Sequence, residues 1–171
     1  GLGAGYQPIG AMLCTTQIYE TIKNGSGFFQ HGHTYLGHPV VSAAGYAVVQ
    51  AILTRNLVPR VRKMGDKLDK ALKAQFGSHP HVGDIRGRGL FRALELVKDR
   101  ETKTPFDPTI GLAGKVKKAA FAAGLICYPM SGTRDGKNGD HVLLAPPFIL
   151  EDQHIDEIVS KLSTALAACP T

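Results

Sequence analysis

The chain opens on Gly1-Leu2-Gly3-Ala4-Gly5-Tyr6-Gln7-Pro8-Ile9-Gly10. Glycine, lacking a Cβ, lets a backbone turn sharply and come close to a ligand. A Gly-x-Gly-x-Gly string by itself commonly makes only a turn. It does not read as a dinucleotide fingerprint, because its third glycine is misplaced and no strand is visible before it. Its meaning therefore depends on the residues beyond it. Residues 8–15 are apolar and predict a short strand leading into a helix capped by Thr16, with Ile18 and Ile22 on one face. Lys23-Asn24-Gly25 is a stop signal, and residues 25–37 read as a loop rich in glycine, histidine and aromatics. Pro39 stands where a helix begins. Residues 40–53 are apolar nearly all round, which predicts a buried helix.

Pro59 restarts a helical pattern. Val61, Met64, Leu68 and Leu72 share a face, and Arg60, Lys63, Lys67, Lys70 and Lys73 fall largely on the others. We read this as a connecting helix at a boundary that divides the chain into domains 1–56 and 57–171. Beyond Gly77, residues 82–86 and 90–97 predict strands joined by a Gly87-Arg88-Gly89 turn. Asp107 caps a helix with Pro108 at its first position, ending at Gly124. Residues 125–128 and 142–145 predict strands around a polar, glycine-rich loop. Residues 151–167 predict an amphipathic helix with Ile155, Ile158, Val159, Leu162 and Leu166 inward. This order of strand, strand, helix, strand, strand, helix implies an α+β layer. The fold class is therefore an α/β remnant followed by a small α+β domain.

Composition narrows the partners. A length of 171 residues suits one domain, or one plus part of another. A hydrophobic share of 43% allows a core without staples. The net charge of +6 suits anionic partners in general. The basic helix around residues 55–73 lacks interleaved aromatics and is interrupted by Asp66 and Asp69, so it reads as a solvated face and not a nucleic-acid stripe. Cys14, Cys127 and Cys169 are scattered and odd in number, which fits a reducing cytoplasm. No apolar run is long enough to span a bilayer. His31-x-His33 and His79-Pro-His81 have no companion ligands at metal spacing, so no metal is expected.

Four separated blocks share one resemblance. They are the opening string through Ala11; His31-Gly32-His33-Thr34-Tyr35-Leu36-Gly37-His38-Pro39; Gly83-Asp84-Ile85-Arg86-Gly87-Arg88-Gly89-Leu90-Phe91 through Glu95-Leu96; and Gly124-Leu125-Ile126-Cys127-Tyr128-Pro129 with Gly139-Asp140-His141 through Phe148. In this order they resemble class III (omega-amino-acid type) aminotransferases. In that family the first block directly follows the lysine that forms a Schiff base with pyridoxal phosphate.

The resemblance implies a fold-type-I, pyridoxal-phosphate-dependent enzyme. It would move an amino group from an amino acid or amine to a 2-oxo acid such as pyruvate. The cofactor lysine would precede Gly1, and so would the aspartate that pairs with the pyridine nitrogen. No catalytic residue is then expected within these 171 residues. They would form the end of the large domain and the C-terminal small domain, inactive alone, with the N-terminal portion of the same protein as partner in a cytoplasmic homodimer.

The resemblance also assigns site residues. Thr34, with the backbone of Gly32 and His33, would bind the cofactor phosphate across the dimer interface. His33 stands where a bulky or aromatic residue is usual, so only its backbone carries over. Arg134, the one arginine of its loop, would meet the substrate carboxylate, although that loop differs in length from the family's. Without the resemblance, Thr34 is a turn or N-cap hydroxyl. Arg86 and Arg88 are hairpin arginines that could instead meet a carboxylate, and Arg134 is a solvated loop arginine. Decarboxylases and aminomutases share the scaffold. A second functional reading is a non-catalytic fragment that acts only by association with an N-terminal segment.

Overall fold

The computed structural model describes residues 1–169. Pro170 and Thr171, the end of the expected 57–171 segment, lie outside the described residues. The chain forms two compact units that divide between Asn56 and Leu57.

In the first unit the glycine-rich start coils on itself. The Ala4 amide donates to the Gly1 carbonyl at 3.2 Å and the Tyr6 amide to the Gly3 carbonyl at 2.8 Å. A Cβ on Gly3 would collide with the Gln7 carbonyl oxygen, so this turn requires glycine there. Helix α1 (Thr16–Asn24) is capped by Thr15 and not by Thr16. Thr15 is the last extended residue, and its hydroxyl accepts the Ile18 amide at 3.4 Å. Helix α2 (Pro39–Thr54) starts on its proline as expected.

Two further expectations fail in this unit. Residues 8–15 form no strand. Strand backbone groups need a neighbouring strand, and none is present among the described residues of the unit. Helix α2 is not buried either. Only Gly45 is covered, under Ile9, while Tyr46 is 68% and Leu53 66% exposed. Among the described residues the unit has no buried apolar side chain. Apolar composition predicts burial only when a second layer lies opposite, and this unit supplies none.

The second unit has a core. Helix α3 (Leu57–Phe76) begins two residues before Pro59, which then sits in the first turn where no amide bond is lost. Strands β1 (Val82–Arg88), β2 (Phe91–Leu96), β3 (Tyr128–Ser131) and β4 (Asp140–Leu144) form one antiparallel sheet in the order β1-β2-β4-β3. Met64, Leu68, Leu72 and Phe76 recur every four residues along α3 and meet Leu94, Leu96, Val142 and Leu144 of the sheet in the core. Helix α4 (Leu112–Ala122) adds Val116. Helix α5 (Asp152–Ala167) adds Ile155, Leu162 and Leu166, while Ile158 and Val159 sit at the core's edge.

Three boundaries move. The 107–124 segment splits: Asp107 caps a short 3-10 turn, Pro108–Ile110, and Gly111 at φ +63° ends it before α4 begins. A left-handed residue cannot continue a right-handed helix. The first hairpin pairs to its tip, Arg88 against Phe91, so Gly87 and Arg88, expected in the turn, belong to strand β1. Strand β3 starts at Tyr128, because Leu125 and Cys127 are spent packing against the core.

One buried charge ties helix to hairpin. Arg92 is 8% exposed, and its guanidinium donates to the carbonyls of Gly65 (3.1 Å), Gly87 (3.0 Å) and Gly89 (2.9 Å) and to Asp69 (3.0 Å). Buried charge is tolerated when it is paired and hydrogen-bonded, and Asp69 with the three carbonyls supplies both.

Candidate functional site

Thr34 lies in a turn ahead of α2. The Leu36 amide donates to the His33 carbonyl at 2.9 Å, the His38 amide donates to Tyr35 at 3.1 Å, and Gly37 takes φ +71°. The N-cap of α2 is His38, so capping is not the task of Thr34. Among the described residues the Thr34 hydroxyl has no hydrogen-bond partner, and the side chain is exposed. The first helical bond runs from Ser42 to His38, which leaves the Val40 and Val41 amides without an intrahelical acceptor. Nothing stands within 4 Å of a Cβ built on Gly32, so that backbone is open. The loop thus offers an uncommitted hydroxyl, open backbone and the positive end of a helix within one short stretch. That donor set fits a phosphate dianion. His33 turns its ring onto His31, with centroids 5.2 Å apart, which leaves only its backbone for such a group.

Arg134 sits in the β3–β4 loop. The Thr133 amide bonds to Gly139 at 3.2 Å, Arg134 to Asn138 at 2.9 Å and Gly136 to Gly132 at 2.9 Å. Its side chain is exposed and has no ion pair among the described residues. Arg86 differs. It holds Asp84 at 2.9 Å and Glu95 at 2.6 Å, and these bonds push its pKa up. The sheet register causes this, because Asp84 on β1 stands opposite Glu95 on β2. Arg88 is exposed and unpaired among the described residues.

Sequence reasoning passed over Asp140 and His141. Asp140 is 4% exposed at the start of β4. Burial pushes its carboxyl pKa up, while a bond from the Ala113 amide in the first turn of α4 pulls it down. His141 lies opposite Glu95 and Met130, and its Nε2 is buried without a partner among the described residues. Burial first and Arg86 second push its pKa down. Neither residue has a periodicity or spacing that marks it.

The close histidine pair forms a structural knot. His79 Nδ1 accepts the His81 amide at 3.1 Å, and His81 Nδ1 faces the Val97 carbonyl at 3.1 Å. Arg100 donates to the carbonyls of His79 (3.2 Å) and Val82 (3.1 Å). A proton on His79 Nδ1 would break the first bond and add a cation beside Arg100. Burial, His81 and Arg100, in that order, hold its pKa below the usual 6.5. The unfolded chain then binds this proton first. The stabilising contribution is complete above about pH 6.5 and is lost as pH falls towards the lowered folded value. The melting midpoint of the full-length protein is therefore expected to drop between pH 7.5 and 5.5, and His79→Gln to narrow that drop. Equal drops in the two proteins would refute this account.

Comparison with known proteins gives one family. The family model described as aminotransferase class-III matches residues 1–166. An aminotransferase of Gibberella zeae is 46% identical over 97% of this chain and 33% of its own length. The structure of an (S)-enantioselective omega-transaminase from Thermomicrobium roseum matches with TM-score 0.89 and 29% identity, over 100% of this chain and 36% of that one. An amine transaminase from an uncultivated Pseudomonas species, in its PLP-bound form, matches with TM-score 0.86 and 35% identity, over 99% and 37%. The chain spans about a third of the length of these relatives.

Proposed function

Since the chain belongs to the class III aminotransferases, we propose that it is the C-terminal part of a pyridoxal-phosphate-dependent transaminase acting on an amino acid or amine and a 2-oxo acid such as pyruvate. The fold is that of the fold-type-I transferases. The observation that carries the proposal is the match over residues 1–166 by chains about three times as long. Pyridoxal phosphate, when bound, supplies the electron sink for the chemistry.

The residues of this chain hold and orient. Thr34 and the backbone of Gly32 and His33 bind the cofactor phosphate from the neighbouring subunit of a homodimer. The free hydroxyl and the helix start behind it support that role. The exposed apolar side chains of the first unit support a covering by the N-terminal portion and by a second subunit. Arg134 receives the substrate carboxylate, which suits an arginine whose planar fork is uncommitted. The three free cysteines suit a reducing cytoplasm.

Alanine formation from pyruvate tests the reading. The full-length protein is expected to form alanine with added amino donors, in dependence on pyridoxal phosphate. A polypeptide of these 171 residues alone is expected to form none, because the family pattern puts the cofactor lysine ahead of Gly1. A full-length protein that transfers no amino group from any amino acid or amine would overturn the proposal. So would a single lysine of the short polypeptide labelled stoichiometrically after borohydride reduction with the cofactor.

A further inference from the structure

Arg134 is followed directly by an acid, Asp135. The two form no ion pair among the described residues, although the arginine's charge is one of the smaller causes that lower the Asp135 pKa. The Asp135 carboxylate is filled from the other side. It accepts the Lys137 amide at 3.0 Å, the Asn138 amide at 2.7 Å and the Asn138 side-chain amide at 2.8 Å. These bonds, with the Asn138 side chain contributing most, hold its pKa at about 2. The carboxylate is therefore ionised, and its bonds persist, at any pH where an enzyme of this kind is assayed.

The rest of the loop is equally fixed. Gly132, Gly136 and Gly139 take φ +73°, +87° and +90°. The backbone folds so tightly that a Cβ on Gly139 would stand 3.2 Å from both the amide nitrogen and the Cβ of Arg134. The base of Arg134 is thus held from below while its guanidinium stays unpaired. Two features that work against each other, a nearby acid and a free arginine, are made compatible because the acid's oxygens are occupied by the loop's own donors.

We propose that Asp135 and Asn138 are positioning residues for Arg134. Their mutual bonds fix the loop that carries it, and the same bonds keep the Asp135 carboxylate from competing with a substrate for its fork. The proposal rests on the reading of Arg134 as the carboxylate-binding residue, and neither Asp135 nor Asn138 touches substrate itself. The arrangement gives the loop a preference for donors that bring their own carboxylate, since only those replace the pairing that Asp135 withholds.

Steady-state kinetics of the full-length enzyme, loaded with pyridoxal phosphate, test it with L-alanine and with isopropylamine as donors. The readout is the ratio of the KM for L-alanine to that for isopropylamine. Asp135→Ala is expected to raise this ratio about tenfold, the order of effect that comes from misplacing an orienting group. Asp135→Asn keeps an accepting oxygen and is expected to restore most of the wild-type ratio. In an Arg134→Ala background, Asp135→Ala is expected to add nothing, because both changes then act on one interaction. The loop amides face water, so Asp135→Ala leaves no buried donor unpaired and the protein stays folded. If Arg134→Ala raises the ratio but Asp135→Ala does not, the positioning role is overturned and Arg134 keeps its own. If Arg134→Ala leaves the ratio unchanged, both assignments fall together.

Discussion

Gly65→Ala is expected to destabilise the protein by about 2 kcal/mol, despite placing a better helix former in the middle of α3. Alanine in a helix interior gains up to about 1 kcal/mol over glycine. At Gly65 that gain is outweighed. The new methyl would collide with the Gly89 backbone at the hairpin tip, and backbone cannot step aside as a flexible side chain can. Relief by shifting the hairpin would pull the Gly65 carbonyl away from Arg92 and strain a buried charge. Gly114→Ala in α4 is the control, because nothing lies within 4 Å of a Cβ there. Thermal melts of the two variants should move in opposite directions. A Gly65→Ala protein as stable as the wild type would show that helix and hairpin are not in such close contact.

Thr34→Ala is expected to weaken pyridoxal phosphate binding in the full-length enzyme by about tenfold to a hundredfold. This is the loss of one hydrogen bond to a charged group, roughly 1.5–3 kcal/mol. The fold should be unaffected, since the side chain is exposed and caps no helix. Thr34→Ser keeps the hydroxyl and should bind nearly as the wild type does. Cofactor titration followed by absorbance measures all three. An unchanged dissociation constant in Thr34→Ala would reject the assignment.

Much of the second unit is legible in the sequence because its elements carry their own periodicity. The four-residue recurrence from Met64 to Phe76 and the inward stripe of Ile155, Leu162 and Leu166 mark helices wherever they stand. The 3-10 break is not legible, although Gly111 is in plain view, because whether a glycine ends a helix depends on its φ. Burial of α2 fails as an expectation for a different reason. Its composition describes what the helix would bury, and exposure depends on what faces it. The candidate site divides in the same way. Thr34 stands out through its motif, and only the geometry shows that the N-cap position falls to His38 and leaves the threonine free. Arg86 and Arg134 look alike as arginines beside acids. Strand register commits the first to Asp84 and Glu95, and the bonds that Asp135 accepts from Lys137 and Asn138 spare the second. Arg92 and Asp140 are invisible in the sequence, since a buried charge looks like any other charge until its partners are known.

The lack of a buried apolar side chain among the described residues of the first unit bears on how the protein behaves on dilution. A segment that cannot bury its own surface draws its order from whatever covers it, and that coverage obeys mass action. The Thr34 loop belongs to this segment. On the proposed reading, in which Thr34 holds the cofactor phosphate from a neighbouring subunit, subunit dissociation and cofactor release are two faces of one linked equilibrium: each bound cofactor would strengthen the assembly by as much as the assembly strengthens its grip on the cofactor.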